Sequence, residues 1–207
     1  MDDSVIPILH NRHIGHARIL RNFEASQEGP NFTIAEAVLV TLSSPPLFTP
    51  ASISKLEYIG GDLRFSNPTL TIISEANETF GEESPVACLM NIGSGHSGFI
   101  SPPDNSDLDS WNQFLDKVVK DSEQKGEELE SLMGSLGLYH RFSVTRGLEG
   151  EKRTEGTTIG DFVEYTSVYI AGIAVSRKLG YCVDLLRRRD GIASLGKLSK
   201  WETFAEK

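Results

Sequence analysis

Leu56-Glu57-Tyr58-Ile59-Gly60-Gly61-Asp62-Leu63-Arg64-Phe65-Ser66-Asn67-Pro68-Thr69 compresses a strand, a tight turn and a helix start into one stretch. Leu56 to Ile59 alternates in the manner of a strand and runs into Gly60-Gly61, where the chain can turn sharply. Asn67 suits the N-cap, because its side-chain oxygen can accept an orphan amide of the first turn. Pro68 suits the first helical position, where its missing N–H costs nothing. The helix it opens is expected to run to about Glu78.

Working back from this stretch, Thr33-Ile34-Ala35-Glu36 reads as a capping box, with hydroxyl and carboxylate each satisfying a free amide. It starts a helix over Ala35 to Leu42, which Pro45-Pro46 ends because proline cannot continue the hydrogen-bond ladder. Ile19 to Phe23 reads as a short strand, and residues 1–18 as an irregular segment. Working forward, Val86 to Ile92 is nearly all apolar and is expected to be a strand buried on both faces, ended by Gly93-Ser94-Gly95. Ser101-Pro102-Pro103 opens a loop. A helix over Ser106 to about Gln124 carries Leu108, Trp111, Leu115 and Val118 or Val119 at helical spacing, and a shorter one covers Glu127 to Met133. Leu138 to Thr145 suits a strand with Leu138, His140, Phe142 and Val144 on one face. Two apolar stripes close the chain: Ile159, Phe162, Thr166, Tyr169 and Ile173, then Val175, Leu179, Cys182, Val183 and Leu186 on a second helix. Strands alternating with helices predict an α/β fold with a mainly parallel sheet flanked by helices. The expected division is an irregular segment at 1–18, one domain or part of one at 19–190, and a C-terminal tail at 191–207.

Several patterns have dull explanations that outweigh the functional ones. Gly93-Ser94-Gly95-His96-Ser97-Gly98 matches G-x-G-x-x-G, but a dinucleotide site needs a helix to open directly at that turn, and Pro102-Pro103 follows instead. His10, His13 and His16 have no neighbouring ligand cluster and read as a solvated loop. Arg187-Arg188-Arg189 closes a helix, where cations complement the dipole. Cys88 and Cys182 are too few for a disulfide framework and read as small buried hydrophobes. No serine stands in a G-x-S-x-G elbow, so no nucleophile with a positioned base can be named. No catalytic, cofactor or metal residue is therefore assigned.

With 39% hydrophobic and 24% charged residues, a packed core is expected rather than disorder. The net charge of -9 argues against nucleic acid and anionic headgroups as partners, while leaving a neutral lipid or ester open. The acidic start, Met1-Asp2-Asp3-Ser4, is unlike a secretory signal, and no apolar run approaches the roughly 20 residues of a membrane span. A cytoplasmic location is expected.

Leu20-Arg21-Asn22-Phe23, Thr33-Ile34-Ala35-Glu36-Ala37 and Ser43-Ser44-Pro45-Pro46-Leu47-Phe48 together resemble a stretch of the patatin-like phospholipases. In that family a strand precedes a capped helix of the type T-I-W-E-A-A-R-A-T-S-A-A-P. Tyr58 to Thr69 lines up with the family's D-G-G-x-x-x-N-N-P block. Cys88-Leu89-Met90-Asn91-Ile92-Gly93-Ser94-Gly95 is similar to its later S-I-G-T-G strand end, and Tyr139-His140-Arg141-Phe142-Ser143-Val144 to the end of the domain. The resemblance spans about residues 19 to 187 and implies the C-terminal part of a three-layer patatin-like fold.

What the resemblance implies chemically is hydrolysis of lipid acyl esters by a serine–aspartate dyad. The serine belongs in the elbow, a glycine-rich loop supplies oxyanion donors, and the aspartate opening D-G-G acts as general base. In this chain Gly60 stands at the aspartate position, and neither elbow nor glycine-rich loop occurs. Asp62, two residues on, could serve only if the turn were rebuilt. The resemblance thus leads to a remnant of a lipid acyl hydrolase, inactive as this chain. Two alternatives stand beside it: an active hydrolase completed by a missing N-terminal half, and an α/β protein-interaction module. The partners expected are a lipid or acyl ester, or a protein along a sheet edge left open at Leu56–Ile59 and Val86–Ile92.

Overall fold

The computed structural model describes residues 8–11, 17–20, 32–44, 48–61, 65–95, 100–104, 107–119, 121–145 and 158–200, the first two groups largely as backbone. The elements in chain order are β1 (Ile8–Asn11), β2 (Ala17–Ile19), α1 (Ile34–Leu42), β3 (Ala51–Ile53), β4 (Leu56–Gly60), α2 (Thr69–Phe80), β5 (Pro85–Val86), β6 (Leu89–Ile92), α3 (Leu108–Val119), α4 (Glu123–Met133), β7 (Tyr139–Phe142), α5 (Ile159–Ala171), α6 (Ile173–Arg188), β8 (Ala193–Ser194) and α7 (Leu195–Ser199). The fold is mixed α/β with small sheets. The chain divides into two compact units, Met1–Pro68 and Thr69–Lys207.

The first unit is an antiparallel sheet in the order β2-β1-β4-β3 with α1 against it. Its core is Val40, Ala51, Ile53 and Tyr58, with Leu20 and Phe32 alongside. The Phe32 ring meets Tyr58 edge-on at 5.4 Å. α1 begins as expected: Thr33 Oγ1 accepts from the Glu36 amide at 3.2 Å, and Glu36 Oε2 accepts from the Thr33 amide at 2.8 Å. β3 and β4 are joined by Ser54 and Lys55, with φ of 50° and 69°. Such a two-residue hairpin turn needs positive φ at both positions, which Asn-Gly normally advertises and Ser-Lys does not.

This sheet corrects three expectations. The strand expected at Ile19–Phe23 ends at Ile19, with residues 21–31 outside the described set. Residues 1–18, expected to be irregular, contain β1 and most of β2. And β4, expected to leave an open sheet edge, is an interior strand held by β1 on one side and β3 on the other. Short connections favour antiparallel pairing, whereas a parallel neighbour needs a crossover of a dozen residues or more.

The second unit is mostly helical. Its core is Ile73, Leu129, Met133, Leu138, Tyr139, Ala193 and Leu198, drawn from α2, α4, β7 and the C-terminal elements. Residues 191–207, expected to be a tail, therefore include structural members: β8 pairs with β5, and Leu195 and Leu198 of α7 are buried. α2 starts one residue past Pro68. The apolar run at 86–92 is not one doubly buried strand. It breaks at Ala87-Cys88, so that β5 pairs antiparallel with β8 while β6 pairs parallel with β7. One face of β6 is open, with Ile92 78% exposed. That pair is the one parallel ladder among the described residues, so a mainly parallel sheet is not what these residues form. The two helices expected over 106 to about 124 and over 127–133 are α3 and α4, with the boundary earlier than expected, since α4 already starts at Glu123. No residue of α3 is buried, although its apolar spacing is as read. The last two stripes fall on α5 and α6, divided at Gly172, except that Ile173 of the first stripe begins α6.

Candidate functional site

β7 and its continuation, Leu138-Tyr139-His140-Arg141-Phe142-Ser143, gather most of the chemistry in the second unit. Alternation along a strand sends His140 and Arg141 to opposite faces. α4 supplies partners on the Arg141 side and α6 on the His140 side.

Arg141 is held on several sides. Its guanidinium donates to Glu123, to Ser122 Oγ at 2.9 Å and to Asn91 Oδ1, and Asn91 Nδ2 donates to Thr69 Oγ1 at 2.7 Å. Arg141 and Glu123 side chains are only 10% and 22% exposed, so the pair is largely shielded from water. Gly93 and Gly126 leave the room this requires: a Cβ on Gly126 would lie 2.5 Å from Arg141 Cδ, and one on Gly93 2.8 Å from its Nη2. Ser143 Oγ donates to Glu123 Oε1 at 2.8 Å, which places a serine beside an acid. It is not a hydrolytic dyad. The carboxylate is already bound by a guanidinium, the serine is buried, and its amide donates to the Tyr169 hydroxyl at 3.2 Å rather than facing an oxyanion. The arrangement is a structural tie between β6, β7 and α4.

The other side of β7 carries Cys88, His140 and Cys182. They come from the break between β5 and β6, from β7 and from α6, and their ligand atoms all lie within 4.8 Å of one another. Cys182 is fully buried and His140 is 7% exposed, while Cys88 is partly exposed. The imidazole stands edge-on to Tyr181 at 5.4 Å and hydrogen-bonds the Gly137 backbone. Gly137 has φ of 65°, a left-handed conformation that suits glycine, and so presents its backbone to the ring without strain. His140 Nε2 is buried and has no hydrogen-bond partner among the described residues, which costs about 1–3 kcal/mol for a buried polar atom.

Burial pushes the Cys182 thiol up to about 11, with the neighbouring Cys88 adding to the rise and Lys178 opposing it. Burial also raises Cys88, against a hydrogen bond from Cys182 that lowers it. Burial lowers His140, with the Gly137 hydrogen bond opposing and the Lys178 charge reinforcing. At neutral pH the group is two protonated thiols and a neutral imidazole. Thiols that burial holds protonated are poor nucleophiles. A neutral imidazole beside two sulfurs is, however, a ligand set for a thiophilic metal ion.

Reading the cysteines separately as hydrophobes missed this grouping. Cys182 does lie on the second apolar stripe, as expected. But nothing in the spacing of Cys88, His140 and Cys182 resembles C-x-x-C or H-x-x-x-H, and only the pairing of β6 with β7 under α6 unites them.

The remaining positions singled out in the sequence behave variously. Gly60 closes β4, is buried, pairs with Leu9 and donates its amide to the Ser43 carbonyl at 2.9 Å. Asp62 lies outside the described residues, as do His13, His16 and the side chain of His10. Gly93-Ser94-Gly95 follows β6, residues 96–99 lie outside the described residues, and the next described helix starts at Leu108. Arg187, Arg188 and Arg189 are exposed at the end of α6, with Arg189 left-handed at φ 56°. No helix among the described residues is long and apolar enough to cross a membrane. Comparison of the chain with family models, curated proteins and solved structures gives no significant match.

Proposed function

We propose that this chain is a catalytically silent representative of the patatin-like lipid acyl hydrolase fold, suited to binding rather than to hydrolysis. Gly60 carries the reading. It ends β4 where the resemblance requires the general base, and its amide and backbone register are already committed to Ser43 and Leu9. A serine hydroxyl must lose its proton as it attacks, and a glycine offers no acceptor. The order β4, Gly60-Gly61, Asn67-Pro68, α2 supports the family assignment, as does the parallel β6–β7 pair with α6 against it. The partial three-layer arrangement belongs to the same proposal. So does a cytoplasmic setting, which two free thiols favour.

An α/β interaction module is a second reading, favoured by β6. It has one strand partner among the described residues, and Met90 and Ile92 stand exposed on it. Such an edge can accept a further strand.

The test is turnover of a short chromogenic acyl ester by the purified chain. Hydrolysis at the buffer rate is expected. Saturable turnover well above it would overturn the assignment.

A further inference from the structure

We propose that Cys88, Cys182 and His140 bind a single zinc ion, with the fourth coordination position taken by water or an exogenous group. This site is independent of the hydrolase resemblance.

Tetrahedral zinc with Zn–S of about 2.3 Å and Zn–N of about 2.0–2.1 Å sets its ligand atoms about 3.5–3.8 Å apart. The three ligand atoms here lie within 4.8 Å of one another, so side-chain adjustments of an ångström or less on each would close the set. His140 Nε2 supplies a second and separate observation. It is buried in a ring 7% exposed, and it has no partner among the described residues. A buried nitrogen is rarely left so unless something else takes its lone pair. The hydrogen bond from the ring to the Gly137 backbone is the outer support that metal-bound histidines ordinarily have. It fixes the ring and leaves the other nitrogen as the acceptor.

Charge balance also favours the ion. Binding converts both thiols to thiolates and releases two protons to solvent, so the Zn²⁺ and two Cys sulfurs are neutral together. Of the charged groups acting on His140, Lys178 opposes added positive charge and Glu130 favours it. Lys178 is itself engaged, donating to the Arg141 carbonyl at 3.0 Å and lying over the Phe142 ring. A neutral zinc–dithiolate unit can sit beside it. Cys88, the partly exposed ligand, marks the side from which the ion enters. Bound there, zinc would fasten α6 to β7 and to the break before β6, three places far apart in the chain.

The test uses the full chain, reduced, stripped with a chelator and then titrated with cobalt(II) and with zinc(II). Cobalt should give thiolate charge-transfer absorption and the ligand-field bands of a tetrahedral site, saturating at one ion per chain and bleached by zinc. Zinc should raise the melting temperature. Cys88→Ser, at the partly exposed position, and His140→Ala should each weaken zinc binding by more than about a hundredfold, the upper range for losing only an outer-shell partner. Circular dichroism checks that each variant folds, and Cys88→Ser decides if His140→Ala does not. A cobalt complex without thiolate charge transfer, binding unchanged in Cys88→Ser, or no binding by a chain whose two thiols titrate as free would each overturn the proposal.

Discussion

Gly126 lies inside α4, where replacing glycine by alanine ordinarily stabilises a helix by about 1 kcal/mol. Here the sign should reverse. The new Cβ would meet Arg141 Cδ at 2.5 Å and Nε at 2.6 Å, and Arg141 cannot easily step aside while Glu123, Ser122 and Asn91 hold its guanidinium. Gly126→Ala is expected to lower the denaturant midpoint with an unchanged slope. A raised midpoint would show that the guanidinium is free to move. None of this was legible in the sequence, because Glu123 and Arg141 meet only through tertiary packing and a helical glycine reads merely as a weak helix former. Gly60 is closer to legible: the alternating strand before it is plain in the sequence, and the structure extends β4 through it and adds the Ser43 carbonyl that occupies its amide.

Elements with strong local signals are legible in the sequence. The Thr33–Glu36 box starts α1 as written, while the equivalent box of Thr158 and Asp161 on α5 is a weaker signal, because aspartate replaces the usual glutamate or glutamine. The apolar spacing of α3 was visible, but its burial was not, since periodicity marks a face without saying what covers it. At the C-terminus the error ran the other way. A polar-looking tail hides α7, whose Leu198 is fully buried in the core with Ile73, Leu129 and Met133. Leu198→Ala is therefore expected to destabilise the second unit by about 2–5 kcal/mol, measured by chemical denaturation. A change below about 0.5 kcal/mol, the range of surface substitutions, would return these residues to the role of a tail.

At the scale of the whole molecule, alternation of strands and helices gave the α/β class correctly and the strand directions mostly wrongly. Direction depends on which strands meet, and β1, β3 and β8 carried too little local pattern to enter the count. Function follows from what the assembled chain places where. The one serine–acid contact described at β7, Ser143 with Glu123, is closed by Arg141, and Gly60, where the proposed resemblance would require a general base, has its amide tied to the Ser43 carbonyl. An activated serine is what a fluorophosphonate reports, by a permanent gain in mass. After incubation with such a probe, intact-mass measurement of the full chain should return the unmodified mass. A stoichiometric adduct mapping to any serine, Ser143 above all, would contradict the account.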